Sequence, residues 1–166
     1  MIFVNNLEVG YDRRAVAMPL SGRFLTGSLT AVIGANGAGK STFLKTVAGL
    51  QQAITGDFTF SQGQRPRLAY LPQQTELDRG FPISVVDLVA MGCWPQSGLF
   101  GGINRQSAAN VAQALETVGM TGMEHYPVGS LSGGQLQRTL FARLLVPQAP
   151  LIMLDEPFTG IDSQTT

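Results

Sequence analysis

The sequence is poor in cysteine, in charge and in long apolar runs. Cys93 is the single cysteine among 166 residues, so no internal disulfide can form. That fits a reducing compartment, with the thiol as a small packing residue. Charged residues make up only 13% of the chain and the formal net charge is zero. The densest basic clusters are Arg13-Arg14 and Arg65-Pro66-Arg67. No basic stripe of the kind that tracks a phosphate backbone is present, and no nucleic-acid partner is expected. No apolar run approaches the roughly 20 residues a spanning helix needs. The N-terminal stretch MIFVNNLEVGYDRR lacks a basic start followed by a long apolar core and does not read as a signal peptide.

What is there is apolar enough to fold. Apolar residues are 44% of the chain, which suits one globular domain with a real core. Ile2 to Val9 alternates weakly and predicts a strand. Ser28 to Ile33 (SLTAVI) is a short apolar run ending at Gly34 and predicts a buried strand. Lys40 to Leu50 predicts a helix with Phe43, Leu44, Val47 and Ala48 on one face. Asp57 to Phe60 and Arg67 to Leu71 are further strands. Ser84 and Asp87 match a capping box for a helix ending near Gly92. Asn104 caps a second helix, in which Ala108, Val111, Ala112, Leu115 and Val118 recur at helical spacing, and Gly119 stops it. Ser132 to Val146 is a third helix, ended by Pro147. Leu151 to Leu154 is a short buried strand. The pattern predicts one α/β domain over 1–166, with a core from 1–71 and 147–166 and a mostly helical insert over about 72–146.

Three segments carry chemistry. Gly34-Ala35-Asn36-Gly37-Ala38-Gly39-Lys40-Ser41 fits G-x-x-x-x-G-K-[ST] between a predicted strand and a predicted helix, the context of a phosphate-binding P-loop. Its glycines permit conformations in which successive backbone N–H groups converge on phosphate oxygens, and the helix start adds partial positive charge. Lys40 then reaches the β- and γ-phosphates and the Ser41 hydroxyl ligates Mg²⁺. Leu151 to Glu156 is an apolar strand that presents two acids at its end. Asp155 suits a Mg²⁺ ligand and Glu156 a general base for the attacking water. Leu131-Ser132-Gly133-Gly134-Gln135 offers a capping serine and exposed backbone N–H groups. Alone it is either a plain helix cap or a second phosphate surface.

In this order the segments resemble the ATP-binding cassette family, and the resemblance covers essentially every residue. It implies a P-loop NTPase core with an antiparallel β subdomain and a helical insert carrying the signature loop, Ser132 to Gln135. It implies ATP and Mg²⁺ as cofactors, with nucleotide contacts along Gly34 to Ser41 and at Thr42. It also implies a head-to-tail homodimer in which Ser132, Gly133, Gly134 and Gln135 of one copy contact ATP on the P-loop of the other. Tyr11 matches the aromatic that stacks on adenine, a contact worth about 1–3 kcal/mol per base. Gln73 in LAYLPQQ matches the loop glutamine that touches Mg²⁺ or water, with Gln74 leaving a one-residue ambiguity. Asp162 in TGID matches an aspartate used across the dimer interface.

The stretch Phe81 to Gly92 (FPISVVDLVAMG) and LDEPFTGID resemble subunits of zinc or manganese importers, with iron-chelate importers as the close alternative. The implied setting is the cytoplasmic face of a membrane, with transmembrane permease subunits docked near Phe81 to Gly92 and a substrate-binding protein as a further partner. A soluble cassette ATPase and a fragment that only binds nucleotide are the other readings. The family also carries a histidine beyond the glutamate that contacts the γ-phosphate. The 166 residues end at Thr166, and the one histidine, His125, precedes the signature loop. On that resemblance the 166-residue chain is expected to be a weak ATPase of low stability, with a gap between the P-loop strand and the Asp155 strand.

Overall fold

A computed structural model describes residues 1–12, 14–73, 81–94 and 102–157. The chain divides into two compact units, Met1–Leu68 and Ala69–Thr166.

The first unit is built on an antiparallel sheet. Strand β1 (Ile2–Glu8) lies between β4 (Leu20–Phe24) and β5 (Thr55–Phe60). Gly10–Tyr11 (β2) and Arg14–Ala15 (β3) pair as a small hairpin. Along β1 the side chains of Ile2, Val4 and Leu7 are buried. The alternation slips once because β1 carries a bulge. Val4 pairs with Gly22 and Leu7 with Leu20, so two residues face Ser21 alone. Against β5 the register shifts between Asn5 and Glu8. Asn6 takes φ 45°, a left-handed conformation that asparagine tolerates better than most residues. Ser21 holds the bulge: its Oγ accepts from the Asn6 N–H at 2.8 Å and donates to Asn6 Oδ1 at 3.0 Å.

Gly56 completes the bulge from the other side. It sits at φ 73°, and a Cβ there would stand 2.1 Å from the Asn6 carbonyl oxygen. Gly56→Ala is therefore expected to lower stability by at least about 1–3 kcal/mol from backbone strain alone, read as a lower melting temperature. An unchanged melt would show that the bulge relaxes freely.

Helix α1 (Lys40–Ala48) packs beside this sheet, with Phe43 of α1 and Phe24 of β4 6.0 Å apart between ring centroids. It buries Phe43, Val47 and Ala48 of the predicted face, while Leu44 is only half-buried. Gly49 ends it at φ 74°, its N–H donating to Lys45 and Thr46 carbonyls. Arg65 adds a second stop: it donates to the Ala48 carbonyl at 3.3 Å and lies 5.7 Å from the Phe58 ring centroid.

One expectation is overturned here. Residues 28–33 form no strand, and Leu29 and Ile33 are 100% and 92% exposed. The local pattern is right for a buried strand, but burial needs neighbours on both edges. Among the described residues no strand forms a ladder with this run.

The second unit is mostly helical. Helix α2 (Val85–Ala90) runs on as a 3₁₀ turn over Met91–Cys93. Ser84 caps it, accepting from the Asp87 N–H at 3.2 Å. The next orphan donors, on Val85 and Val86, reach the carbonyls of Tyr126 and Glu124. Helix α3 (Arg105–Thr117) starts at Asn104, whose Oδ1 accepts from the Ser107 N–H at 2.8 Å. Helix α4 (Gly133–Leu145) follows Ser132. Val89, Cys93, Val111, Leu115, Leu131 and Ala142 meet in one core, so the cysteine is a packing residue.

The inner face of α3 differs from the expected stripe. Ala108 and Ala112 are exposed, and Ser107 and Ala114 are buried in their place. Residues 107, 111 and 114 still recur at helical spacing. An alanine exposes too little area to fix which edge of the stripe turns inward.

Strands β6 (Leu68–Leu71) and β7 (Leu151–Leu154) pair, and Ala69 and Leu71 pack with Leu144 of α4. In β7 Met153 is buried but Ile152 is 44% exposed, so this strand is less enclosed than its apolar sequence predicts. Among the described residues no helix is long and apolar enough to cross a membrane.

Candidate functional site

The first unit holds the P-loop. Its curvature depends on Gly37 at φ 79° and Gly39 at φ 85°, values that disfavour any residue with a Cβ. Gly39 is also crowded: a Cβ would lie 3.1 Å from Val16 Cγ2 and 3.2 Å from Ala17 Cβ. The Ala38 N–H donates to the Ala35 carbonyl at 3.1 Å, closing the turn. Residues 34–38, including Asn36, are exposed, and α1 starts directly after Gly39.

Lys40 folds back over this loop. Its Nζ donates to the Gly34 and Ala35 carbonyls, both at 3.0 Å. The ammonium is thus held at the mouth of the turn, where a phosphate oxygen is a stronger acceptor than a carbonyl. Ser41 is partly buried on the first turn of α1 and Thr42 is buried behind it. Thr42 Oγ1 lies 3.5 Å from the Tyr11 hydroxyl. Tyr11 is 51% exposed.

The second unit holds the acids. Asp155 leaves β7 with its N–H donating to the Leu71 carbonyl at 2.9 Å. Its side chain is 2% exposed, and the Tyr70 hydroxyl donates to its Oδ2 at 3.0 Å. Glu156 follows at φ 47°. That left-handed turn costs a non-glycine residue about 1–2 kcal/mol and turns the chain sharply at the end of the strand. Gln73 Nε2 donates to Glu156 Oε2 at 2.5 Å. A carboxylate only accepts, so the carboxamide presents its NH₂ to Glu156 and keeps its carbonyl oxygen for another partner. Two residues of one strand and its exit, Tyr70 and Gln73, therefore hold the two acids at the end of its neighbour.

The signature segment is a complete capping box. Gln135 N–H donates to Ser132 Oγ at 3.3 Å, and Ser132 N–H donates to Gln135 Oε1 at 2.9 Å. Gly133 and Gly134 lie within the first turn of α4, where a Cβ at either would have nothing within 4 Å. Contacts within the described chain do not call for glycine at these two positions. Bare backbone in open space instead suits close approach from outside the chain. The same helix reaches toward the acids through Gln137, whose side-chain amide donates to the Pro157 carbonyl.

The ligand chemistry of the named groups is that of hard oxygen donors: the Ser41 hydroxyl, the Asp155 carboxylate and the Gln73 carbonyl. Among the described residues no cluster of three or more His, Cys, Asp or Glu side chains converges. Each of these groups, Ser41 in the first unit and Asp155 and Gln73 in the second, is a donor of the kind Mg²⁺ takes, and Mg²⁺ is usually held by one or two carboxylates together with substrate phosphates rather than by a protein cage. Asp162 and Gln74 lie outside the described residues. Sequence reasoning missed Tyr70 and Gln137. Tyr70 left one trace, a single hydroxyl in the apolar strand Leu68–Leu71.

The sequence profile described as "ABC transporter" matches residues 18–159. A metal transport system ATP-binding protein of Chlamydia pneumoniae is 41% identical over 163 residues, covering 96% of this chain and 63% of the relative. The manganese transport system ATP-binding protein MntB of Listeria monocytogenes is 39% identical over 163 residues, covering 96% and 68%. Among solved structures, an inward-facing metal-chelate type ABC transporter matches with a TM-score of 0.84 at 31% identity, covering 97% of this chain and 61% of that one. The chain thus spans a little under two thirds of the first relative's length.

Proposed function

The chain belongs to the ABC transporter family, with the P-loop NTPase fold of its ATPase domains, and from that membership we propose that it binds and hydrolyses ATP to power uptake of a divalent metal ion, manganese or zinc. The observation that carries the hydrolytic part is the pairing of Gln73 with Glu156 beside a buried Asp155. One acid is sequestered as a ligand, and the other is aimed by a carboxamide that can also face a cation.

In this reading the P-loop N–H groups from Gly34 to Ser41 bind the β- and γ-phosphates, with Thr42 behind them. Tyr11 stacks on the base. Lys40 exchanges the Gly34 and Ala35 carbonyls for phosphate oxygens and offsets their charge. Ser41, Asp155 and Gln73 hold Mg²⁺, which supplies Lewis-acid neutralisation of the phosphate oxygens. Glu156 accepts a proton from water as the water oxygen bonds to the γ-phosphorus. The bond from that phosphorus to the bridging oxygen breaks, and ADP leaves with the electron pair.

Ser132, Gly133, Gly134 and Gln135 face the nucleotide of a second copy in a head-to-tail dimer. Open space around Gly133 and Gly134 supports this arrangement. Asp162 acts at the same dimer interface. The insert over about 72–146 is the part that meets permease subunits, which place the protein at the cytoplasmic face of the membrane as a peripheral subunit. Phe81 at 59% and Trp94 at 61% exposure offer an apolar surface for them. A substrate-binding protein delivers the ion to the permease.

The solved metal-chelate transporter favours a second reading for the cargo, a chelated metal. Uptake assays separate the two. The complete protein, assembled with its permease in vesicles, is expected to accumulate manganese or zinc in an ATP-dependent manner. ATP-dependent uptake of an iron chelate alone would transfer the assignment, and copurification with no membrane subunit would remove it.

A further inference from the structure

Strand β6 and its exit hold both acids at the end of β7, but the two holds differ. Gln73 reaches the half-buried Glu156, whereas Tyr70 reaches a carboxylate that is almost wholly enclosed. An enclosed carboxylate needs hydrogen-bond donors to offset its lost hydration. The Tyr70 hydroxyl supplies one to Oδ2 at 3.0 Å. The Asp155 N–H is already committed to the Leu71 carbonyl, so the backbone of this residue is pinned to the strand that carries Tyr70. With the backbone fixed, the two side-chain torsions of Asp155 remain, and a donor on one oxygen restricts both. A carboxylate offers about four lone-pair directions, and the Tyr70 hydroxyl takes one of them.

We propose that Tyr70 is a positioning residue for divalent-cation binding, its hydroxyl setting the rotation at which Asp155 presents oxygen to the cation. The proposal rests on the ATPase reading above. It assigns Tyr70 no contact with nucleotide, cation or water. It acts through Asp155, in the way that outer partners orient metal-ligating carboxylates generally.

The test is Tyr70→Phe in the complete protein, which keeps the ring and deletes one oxygen. Three quantities are measured: binding of a fluorescent ATP analogue in EDTA, the same binding titrated with Mg²⁺, and Mn²⁺ affinity by electron paramagnetic resonance. Loss of an outer partner typically weakens metal binding about 10–100-fold. The Mg²⁺ needed for half-saturation and the Mn²⁺ dissociation constant are therefore both expected to rise about tenfold or more, with EDTA binding unchanged. Adding Tyr70→Phe to Asp155→Asn is expected to change the cation dependence no further. An unchanged cation dependence in Tyr70→Phe overturns the proposal. So does an equal loss with and without cation, which is the mark of a merely structural tyrosine.

If Asp155→Asn itself leaves the cation dependence intact, the ligand role of Asp155 fails first, and the two failures are told apart. Should Tyr70→Phe fail to fold, difluorotyrosine at position 70 keeps shape and hydroxyl but makes a stronger donor. It must still move the Mn²⁺ affinity, and no movement again overturns the proposal.

Discussion

Glu156→Gln is expected to cut ATP hydrolysis about 10²–10⁴-fold, the usual loss when a general base is removed, while ATP binding persists. The structure makes this substitution unusually clean. Gln73 donates to Glu156 Oε2, and a glutamine at 156 can still accept that hydrogen bond through its carbonyl oxygen. The shape, the left-handed backbone at φ 47° and the Gln73 contact are all compatible with the new side chain. What is lost is a group that can take a proton from water. Retained ATP should then hold two copies together, so the variant is expected to run as a dimer in Mg-ATP and as a monomer in EDTA. Turnover within a factor of a few of the parent would remove Glu156 from the chemistry.

Lys40→Ala is expected to lower turnover about 10²–10³-fold, the range seen when one preorganised donor to developing charge is deleted. Two of its partners, the Gly34 and Ala35 carbonyls, are exposed. Water can replace the ammonium there, and the melting temperature without nucleotide should hardly move. The stabilisation that ATP normally adds through mass action should largely disappear. Gly134→Val is the complementary variant. Apart from its chain neighbours and the backbone of its own helix, no atom lies within 4 Å of the position its Cβ would take, so folding should tolerate it, whereas a nucleotide presented by a second copy would meet the new methyl groups. Replacing Ser132 would be less informative, because its hydroxyl caps α4 and a lost cap costs about 1 kcal/mol. Each variant alone should be nearly inactive. Mixed, they can form one intact composite site per heterodimer, with Lys40 from one chain and Gly134 from the other. Activity of the mixture no greater than that of either variant alone would argue that the loop serves its own subunit, or that both sites must act together.

The parts legible in the sequence were those specified by short-range chemistry. Ser132 with Gln135, and Pro147 beyond the end, mark helix α4 almost to the residue. Asn104 and Ser84 mark the starts of α3 and α2 in the same way. The glycine turn before α1 and the place of Asp155 and Glu156 at the end of β7 were legible because their residue types are tied to a turn and to a strand end. What the sequence did not disclose depends on neighbours far along the chain. The bulge at Asn6 needs Ser21 and Gly56, which are distant in sequence. The Tyr70–Asp155 hydrogen bond spans 85 residues, and nothing in the run Leu68–Leu71 announces its partner. The apolar run at 28–33 was misread for the same reason, since its apolar residues record an affinity for burial without stating which strands would provide it.

That run has a practical consequence for the chain in solution. Between Gly27 and Asn36 there is no charge and no proline, and Thr30, Val32 and Ile33 are β-branched. Exposed segments of this composition recruit copies of themselves edge to edge, because each added strand satisfies backbone groups and covers side chains at once. Any self-association through 28–33 is expected to grow with concentration, whereas folding is not, and light scattering over a concentration series checks it. A lysine at position 29, where the side chain is fully exposed, would act as a gatekeeper against that stacking while leaving Gly34 to Ser41 untouched.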